Sequence, residues 1–152
     1  MAQKIGVFGG SFNPVHNGHL ILAQDVLDAY ELDVILFVPC GNPPHKDPAE
    51  FAAPAHRLAM LEQVTELDPR FDVSQVELER DGTSFTIETL DLLQAEFPTS
   101  ELSFIVGSDT LVELRTWHRI SDLLHRHRIL APVRPGFDLD HLESIDFGLE
   151  FG

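Results

Sequence analysis

The chain opens with "KIGVFG", a short apolar run at residues 4–9 closed by glycine, and then changes period. From Gly18 onward, Leu20, Ala23, Leu27 and Tyr30 recur at helical spacing, with Gln24, Asp28 and Glu31 on the other face. The pattern predicts a buried strand followed by an amphipathic helix. "DVILFVP" predicts a second buried strand, and "GNPPHKDP" after it must be loop, because three prolines exclude regular structure. A helix over residues 55–67 turns Leu58, Leu61 and Val64 inward. "FDVSQVELE" alternates and predicts a strand broken near Ser74, and "DGTS" reads as a turn. Thr86 reads as the N-cap of "IETLDLLQAEF", a helix with Ile87, Leu90, Leu93 and Phe97 inward and acids in its first turn. "LSFIVG" predicts a strand, "DTLVELRTWHRISDLL" a helix, and "RILAPV" a last strand stopped by Pro135 and Gly136.

Strand and helix thus alternate throughout, with no internal repeat, low-complexity stretch or linker. With strands this continuously apolar, the order implies an α/β fold: a Rossmann-like, mostly parallel sheet with helices on both faces, as one domain over residues 1–152. Ligands of such sheets bind beyond the carboxyl ends of the strands. The unusual loops, at residues 9–18, 40–48, 107–109 and 134–136, each follow a strand and so converge on one edge.

Composition narrows the function. Hydrophobic residues make up 43% and charged residues 23% of the chain, an ordinary globular balance. The net charge of −15 argues against a general nucleic-acid or anionic-membrane binder, whose affinity comes from a basic face. It leaves room for a small anionic ligand held by a few donors. "VILFVP" is too short to span a bilayer, "MAQKIGVFGG" lacks a signal-peptide core, and the lone Cys40 has no internal disulfide partner. These features together predict a cytoplasmic protein.

The chemistry concentrates in "GVFGGSFNPVHNGHL". A glycine-rich turn that feeds a helix N-terminus offers free backbone N–H groups and a favourable dipole to phosphate. The text fits neither G-x-G-x-x-G nor G-x-x-x-x-G-K-[ST], which sets aside the two common dinucleotide and triphosphate loops. What remains is His16-Asn17-Gly18-His19. Gly18 allows close approach to the backbone, and the imidazoles can donate to phosphate oxygens that would raise their pKa. Such a pair also fits two surface residues beside a turn, or a metal site, although H-E-x-x-H and a carboxylate are missing. Its place directly after the first strand favours phosphate. Trp117, in an apolar helix pattern, also fits the core, Asp109 also fits a cap for a helix from Thr110, and His125 and His127 read as surface residues. Ser11 and Cys40 read as a loop contact and a structural thiol.

"GGSFNPVHNGHL" resembles the first signature of the nucleotidyltransferase superfamily with an HxGH motif. With "PPHK", "TSFTIETL", "FIVGSDTL", Trp117 and "RPGFDL" in order over residues 4–139, the chain resembles bacterial nicotinate-nucleotide adenylyltransferase. The resemblance implies transfer of AMP from ATP to nicotinate mononucleotide, giving deamido-NAD and pyrophosphate. It implies phosphate contacts from Gly9, Gly10, Ser11, Phe12 and Gly18, and catalytic roles for His16, His19 and Lys46, with Arg134 also on phosphate. Thr86 and Trp117 would position the nicotinate ring, and Gly107 and Asp109 would contact nucleotide. Mg²⁺ would accompany ATP, with no metal held by the protein itself, no nucleic-acid or membrane partner, and homo-oligomerisation open through an exposed sheet edge. The family's second signature, Ser-Ser-Thr-x-x-Arg, is missing. After Arg134 come Asp138, Asp140, Glu143, Asp146 and Glu150 without a Lys or Arg, which predicts an intact mononucleotide pocket with weakened ATP binding. An adenylyltransferase for another phosphorylated acceptor, such as phosphopantetheine, and a non-catalytic nucleotide-binding protein are the alternatives.

Overall fold

The computed structural model describes residues 2–10, 12, 15–40, 53–79, 85–107 and 116–131. Among the described residues, five strands form one sheet: β1 (Lys4–Gly10), β2 (Val34–Pro39), β3 (Phe71–Val73), β4 (Glu101–Ile105) and β5 (Arg128–Leu130). Their order is β3-β2-β1-β4-β5, and every neighbouring pair is parallel. The helices are α1 (Asn17–Ala29), α2 (Pro54–Thr65), α3 (Thr86–Glu96) and α4 (Ile120–Arg126). The chain starts in the middle of the sheet, winds outward through β2 and β3, then returns to the other side of β1 for β4 and β5. The exit of β1 is therefore the point where the winding direction reverses. In open α/β sheets that crevice is where ligands sit.

The two-residue period of the strands sorts their side chains into two cores. Ile5 and Val7 of β1, Leu36 and Val38 of β2, and Leu102 and Phe104 of β4 face Ile87, Leu90 and Leu93 of α3 and Leu123 of α4. Phe8, Ile35, Phe37, Phe71 and Ile105 face Ala23, Val26 and Leu27 of α1 and Leu61 of α2. Both sheet faces are covered, which is why the strands read as unbroken apolar runs. Among the described residues, no helix is long and apolar enough to cross a membrane.

Gly6 shows how tightly the second core closes on the sheet. A Cβ there would lie 2.7 Å from Leu32 Cδ1 and 2.9 Å from Cδ1 of both Ile35 and Ile105. Gly6→Ala is expected to lower stability by about 1–3 kcal/mol through overpacking. The urea midpoint checks this, and a midpoint equal to the parent's would contradict the packing.

Four expectations need correction. The break expected near Ser74 is present, but the strand does not resume through residue 79: after Val73, Ser74 N donates to Phe37 O at 2.9 Å, and the Ser74 hydroxyl accepts from Val76 N at 3.3 Å. The N-cap of α3 is Phe85, not Thr86. Phe85 is extended and its carbonyl accepts from Thr89 N at 3.0 Å, leaving Thr86 as the first helical residue. Trp117 lies in a bend, and the expected helix does not run unbroken to Leu124, because Arg119 adopts φ 54° immediately before α4; residues 109–115 lie outside the described residues. His127 is no surface residue: its side chain is 6% exposed, with Nε2 3.2 Å from Asp91 Oδ1 of α3. The expected loop at 41–48, the turn at 81–84 and everything after Ala131 lie outside the described residues.

Candidate active site

The turn between β1 and α1 is built by aromatic packing and two unusual helix caps. Phe12 takes φ 46°, a left-handed conformation that costs a bulky residue about 1–3 kcal/mol. Burial offsets the strain, since Phe12 is only 2% exposed. Its ring meets Phe8 at 5.5 Å and Phe37 at 5.7 Å, and the edge contact with His19 has centroids 5.0 Å apart. The left-handed residue therefore sends the side chain back under the turn, where it becomes the floor for His19.

Histidine also caps α1. His16, extended at φ −140°, is the N-cap, and its Nδ1 accepts from Gly18 N at 3.1 Å. His19, three residues on, reaches back so that its Nδ1 accepts from His16 N at 3.1 Å. This is the reciprocal logic of a capping box, with imidazoles in place of the usual hydroxyl and carboxylate. The two rings stack with centroids 3.8 Å apart and planes 25° from parallel.

The arrangement assigns tautomers. A ring nitrogen that accepts from a backbone N–H cannot itself carry the proton, so an imidazole capping through Nδ1 holds its proton on Nε2. Both Nε2–H groups have no partner among the described residues. Two such donors at the N-terminus of α1, just after β1, have the chemistry to hydrogen-bond an anion.

Burial, then the neighbouring His16, lower the pKa of His19 from 6.5 to about 4. The expectation of a raised pKa applied to the phosphate-bound state; without ligand the shift runs the other way. Between those two values the unfolded chain binds a proton that the folded chain refuses, so stability rises with pH across this window. Unfolding measured in steps from pH 6.5 down to 4 is expected to show stability falling, with a shallower fall in His19→Ala. Equal slopes for the two proteins would contradict the assignment.

Other expected residues fall around this turn. Gly9 and Gly10 end β1, and Gly10 O accepts from Cys40 N at 2.9 Å, extending the β1–β2 pairing to the edge of the sheet. A Cβ on Gly18 would lie 2.8 Å from His16 Cε1, so this glycine makes room for the His16 ring. Gly107 follows β4, and a Cβ there would meet nothing within 4 Å among the described residues. Phe85 and His118, sequence neighbours of Thr86 and Trp117, pack with ring centroids 4.3 Å apart. Trp117 is half-buried, its ring edge-on to Phe104 at 5.9 Å. Ser11, Lys46, Asp109 and Arg134 lie outside the described residues. Burial raises the pKa of the Cys40 thiol above its ordinary value, as suits a structural thiol rather than a nucleophile. Among the described residues, no three His, Cys, Asp or Glu side chains gather to hold a metal ion.

The chain matches the cytidylyltransferase-like family over residues 7–147. It is 40% identical over 138 residues to the nicotinate-nucleotide adenylyltransferase of Bacillus subtilis, covering 91% of this chain and 73% of that one. A "Probable nicotinate-nucleotide adenylyltransferase" of Salinibacter ruber is 46% identical over 134 residues, covering 88% and 69% of the two chains. The chain belongs to the nicotinate-nucleotide adenylyltransferase family. Its fold agrees: the nicotinic acid mononucleotide adenylyltransferase of Plasmodium falciparum, solved in complex with NaAD, superposes with a TM-score of 0.72 at 15% identity, covering 96% of this chain and 81% of that one.

Within this family fold, three features escaped the sequence reading. The capping role of the histidine pair is one, and the aromatic floor under it is another. The third is Arg57, only 1% exposed, whose Nη1 donates to Cys40 O at 2.7 Å. Its signal was spacing: Arg57 stands four residues before Leu61 and seven before Val64, on the inward stripe of α2.

Proposed function

We propose that this chain transfers AMP from ATP to nicotinate mononucleotide, forming deamido-NAD and releasing pyrophosphate. The observation that carries the reading is the pair of Nε2–H donors set by reciprocal capping at the N-terminus of α1, in a chain of this family. The phosphate of the mononucleotide is the nucleophile, and one of its oxygens attacks the α-phosphorus of ATP as the bond to pyrophosphate breaks. No general base and no covalent enzyme intermediate are needed, so catalysis consists of in-line positioning and stabilisation of negative charge.

His16 and His19 supply that stabilisation as Nε2–H donors, aided by the dipole of α1. Making either ring an imidazolium would put a proton on Nδ1 and break a cap, so their contribution is directional hydrogen bonding. Gly9, Gly10, Ser11 and Phe12 supply backbone for the phosphates, with Lys46 and Arg134 as further cations, while Gly18 makes room for the capping ring of His16. Trp117 stacks on the nicotinate ring beside Thr86, and the open space at Gly107 accommodates nucleotide together with Asp109. Mg²⁺ enters as part of the ATP substrate.

The test is pyrophosphate release from ATP and Mg²⁺ with nicotinate mononucleotide, nicotinamide mononucleotide or phosphopantetheine as acceptor, the product identified by chromatography. Deamido-NAD as the dominant product is expected. Preference for phosphopantetheine, or nucleotide binding without any release, would overturn the reading.

A further inference from the structure

The buried arginine sits where packing alone does not call for one. Arginine is almost never fully buried unless its donors are used, since desolvating a guanidinium is costly. Arg57 projects from the first half of α2, and its Nη1 donates to the carbonyl of Cys40, the residue immediately after β2. The other face of the same residue carries the link onward. Cys40 N donates to Gly10 O at 2.9 Å, and Gly10 is the last residue of β1 before the histidine turn.

The carboxylate of Glu77, in the turn after β3, raises the pKa of the Cys40 thiol, which Arg57 lowers. Glu77 Oε2 also accepts from Thr89 Oγ1 at 2.8 Å, and Thr89, 3% exposed, lies in the first turn of α3. Hydrogen bonds thus join the exits of β1 and β2 to the buried Arg57 of α2, and separately the turn after β3 to the buried Thr89 of α3. Hydrogen bonds of this kind are directional and hold atoms in place more narrowly than apolar packing does.

We propose that Arg57 is a positioning residue for the reaction: by holding the Cys40 peptide it pins Gly10 and thereby sets the phosphate turn that follows. It touches no substrate. The proposal rests on the functional reading for its kinetic consequence, while its structural half stands on the Arg57–Cys40–Gly10 contacts alone.

The experiment compares Arg57→Met, which keeps length without donors, with Arg57→Lys, which keeps one charged donor. Two readouts are taken: kcat and KM for both substrates, and hydrogen exchange at the Cys40 amide. In Arg57→Met, kcat is expected to fall about 10-fold, on the scale by which small misplacements remote from the chemistry slow reactions. KM for nicotinate mononucleotide is expected to change little, and Arg57→Lys to recover most of the rate. The Cys40 amide is expected to exchange at least about 10-fold faster in Arg57→Met, with Val7 and Phe37 amides unchanged. Uniformly faster exchange, or a rate loss that only tracks the folded fraction, would make Arg57 a stability residue and overturn the proposal. So would failure of both variants to fold. If the parent releases no pyrophosphate, the functional reading fails, and the exchange pattern alone decides whether Arg57 pins this peptide.

Discussion

Replacing His19 with glutamate is expected to leave the fold intact while slowing pyrophosphate release by about 10²–10³-fold, the scale for losing a donor aimed at developing charge. The two effects separate because His19 does two jobs through different atoms. Its Nδ1 accepts from His16 N, a task that glutamate at the third helical position ordinarily performs. A carboxylate in the first turn also complements the dipole of α1, by about 0.3–1 kcal/mol where exposed. Its Nε2–H is lost, however, and a negative charge then faces the phosphates. His19→Ala loses both jobs, so a similar rate loss should come with a lower melting temperature, from a cap worth about 1 kcal/mol. Thermal unfolding and steady-state rates on the three proteins check this. A glutamate variant that turns over like the parent would show that the Nε2–H group contributes nothing to the reaction.

The parts legible in the sequence were those governed by periodicity. Strands covered on both faces read as unbroken apolar runs, and with helices between them the sheet could only be mostly parallel. The candidate site was placed by the same logic, since the glycines and histidines stand directly after β1. What stayed hidden depends on atoms rather than on periods. Histidine is not among the usual capping residues, so nothing in "HNGH" announced that both Nδ1 atoms would be used inside the helix end. Phe12 carries no mark of a left-handed backbone, because aromatic packing imposes it. Thr86 looked like a cap by propensity, yet Phe85 holds that place, its ring packed against His118. His127 looked like a surface residue until α3 brought Asp91 to it. For Phe12, Thr86 and His127 a contact distant in sequence overrode a local preference.

Gly18 offers the sharpest separation of activity from stability. Alanine at a helical position ordinarily stabilises by about 1 kcal/mol relative to glycine. Here the new Cβ would lie 2.8 Å from Cε1 and 2.9 Å from Nδ1 of His16, closer than real Cβ contacts come. The His16 ring, being the end of a side chain, gives way before the backbone does. Its swing breaks the Nδ1 bond to Gly18 N and unstacks the ring from His19. The lost cap, worth about 1 kcal/mol, offsets the gain in propensity, so the melting temperature of Gly18→Ala should stay close to the parent's. The rate should nevertheless fall by about 10²-fold, because one of the two donors has left its place. The decisive comparison is with His16→Ala. Once the imidazole is gone, alanine at position 18 collides with nothing there, so Gly18→Ala in that background should cost no further activity and should raise stability. Additive rate losses in the double variant would mean that Gly18 serves the ligand directly, with the His16 ring as a bystander to its absent side chain.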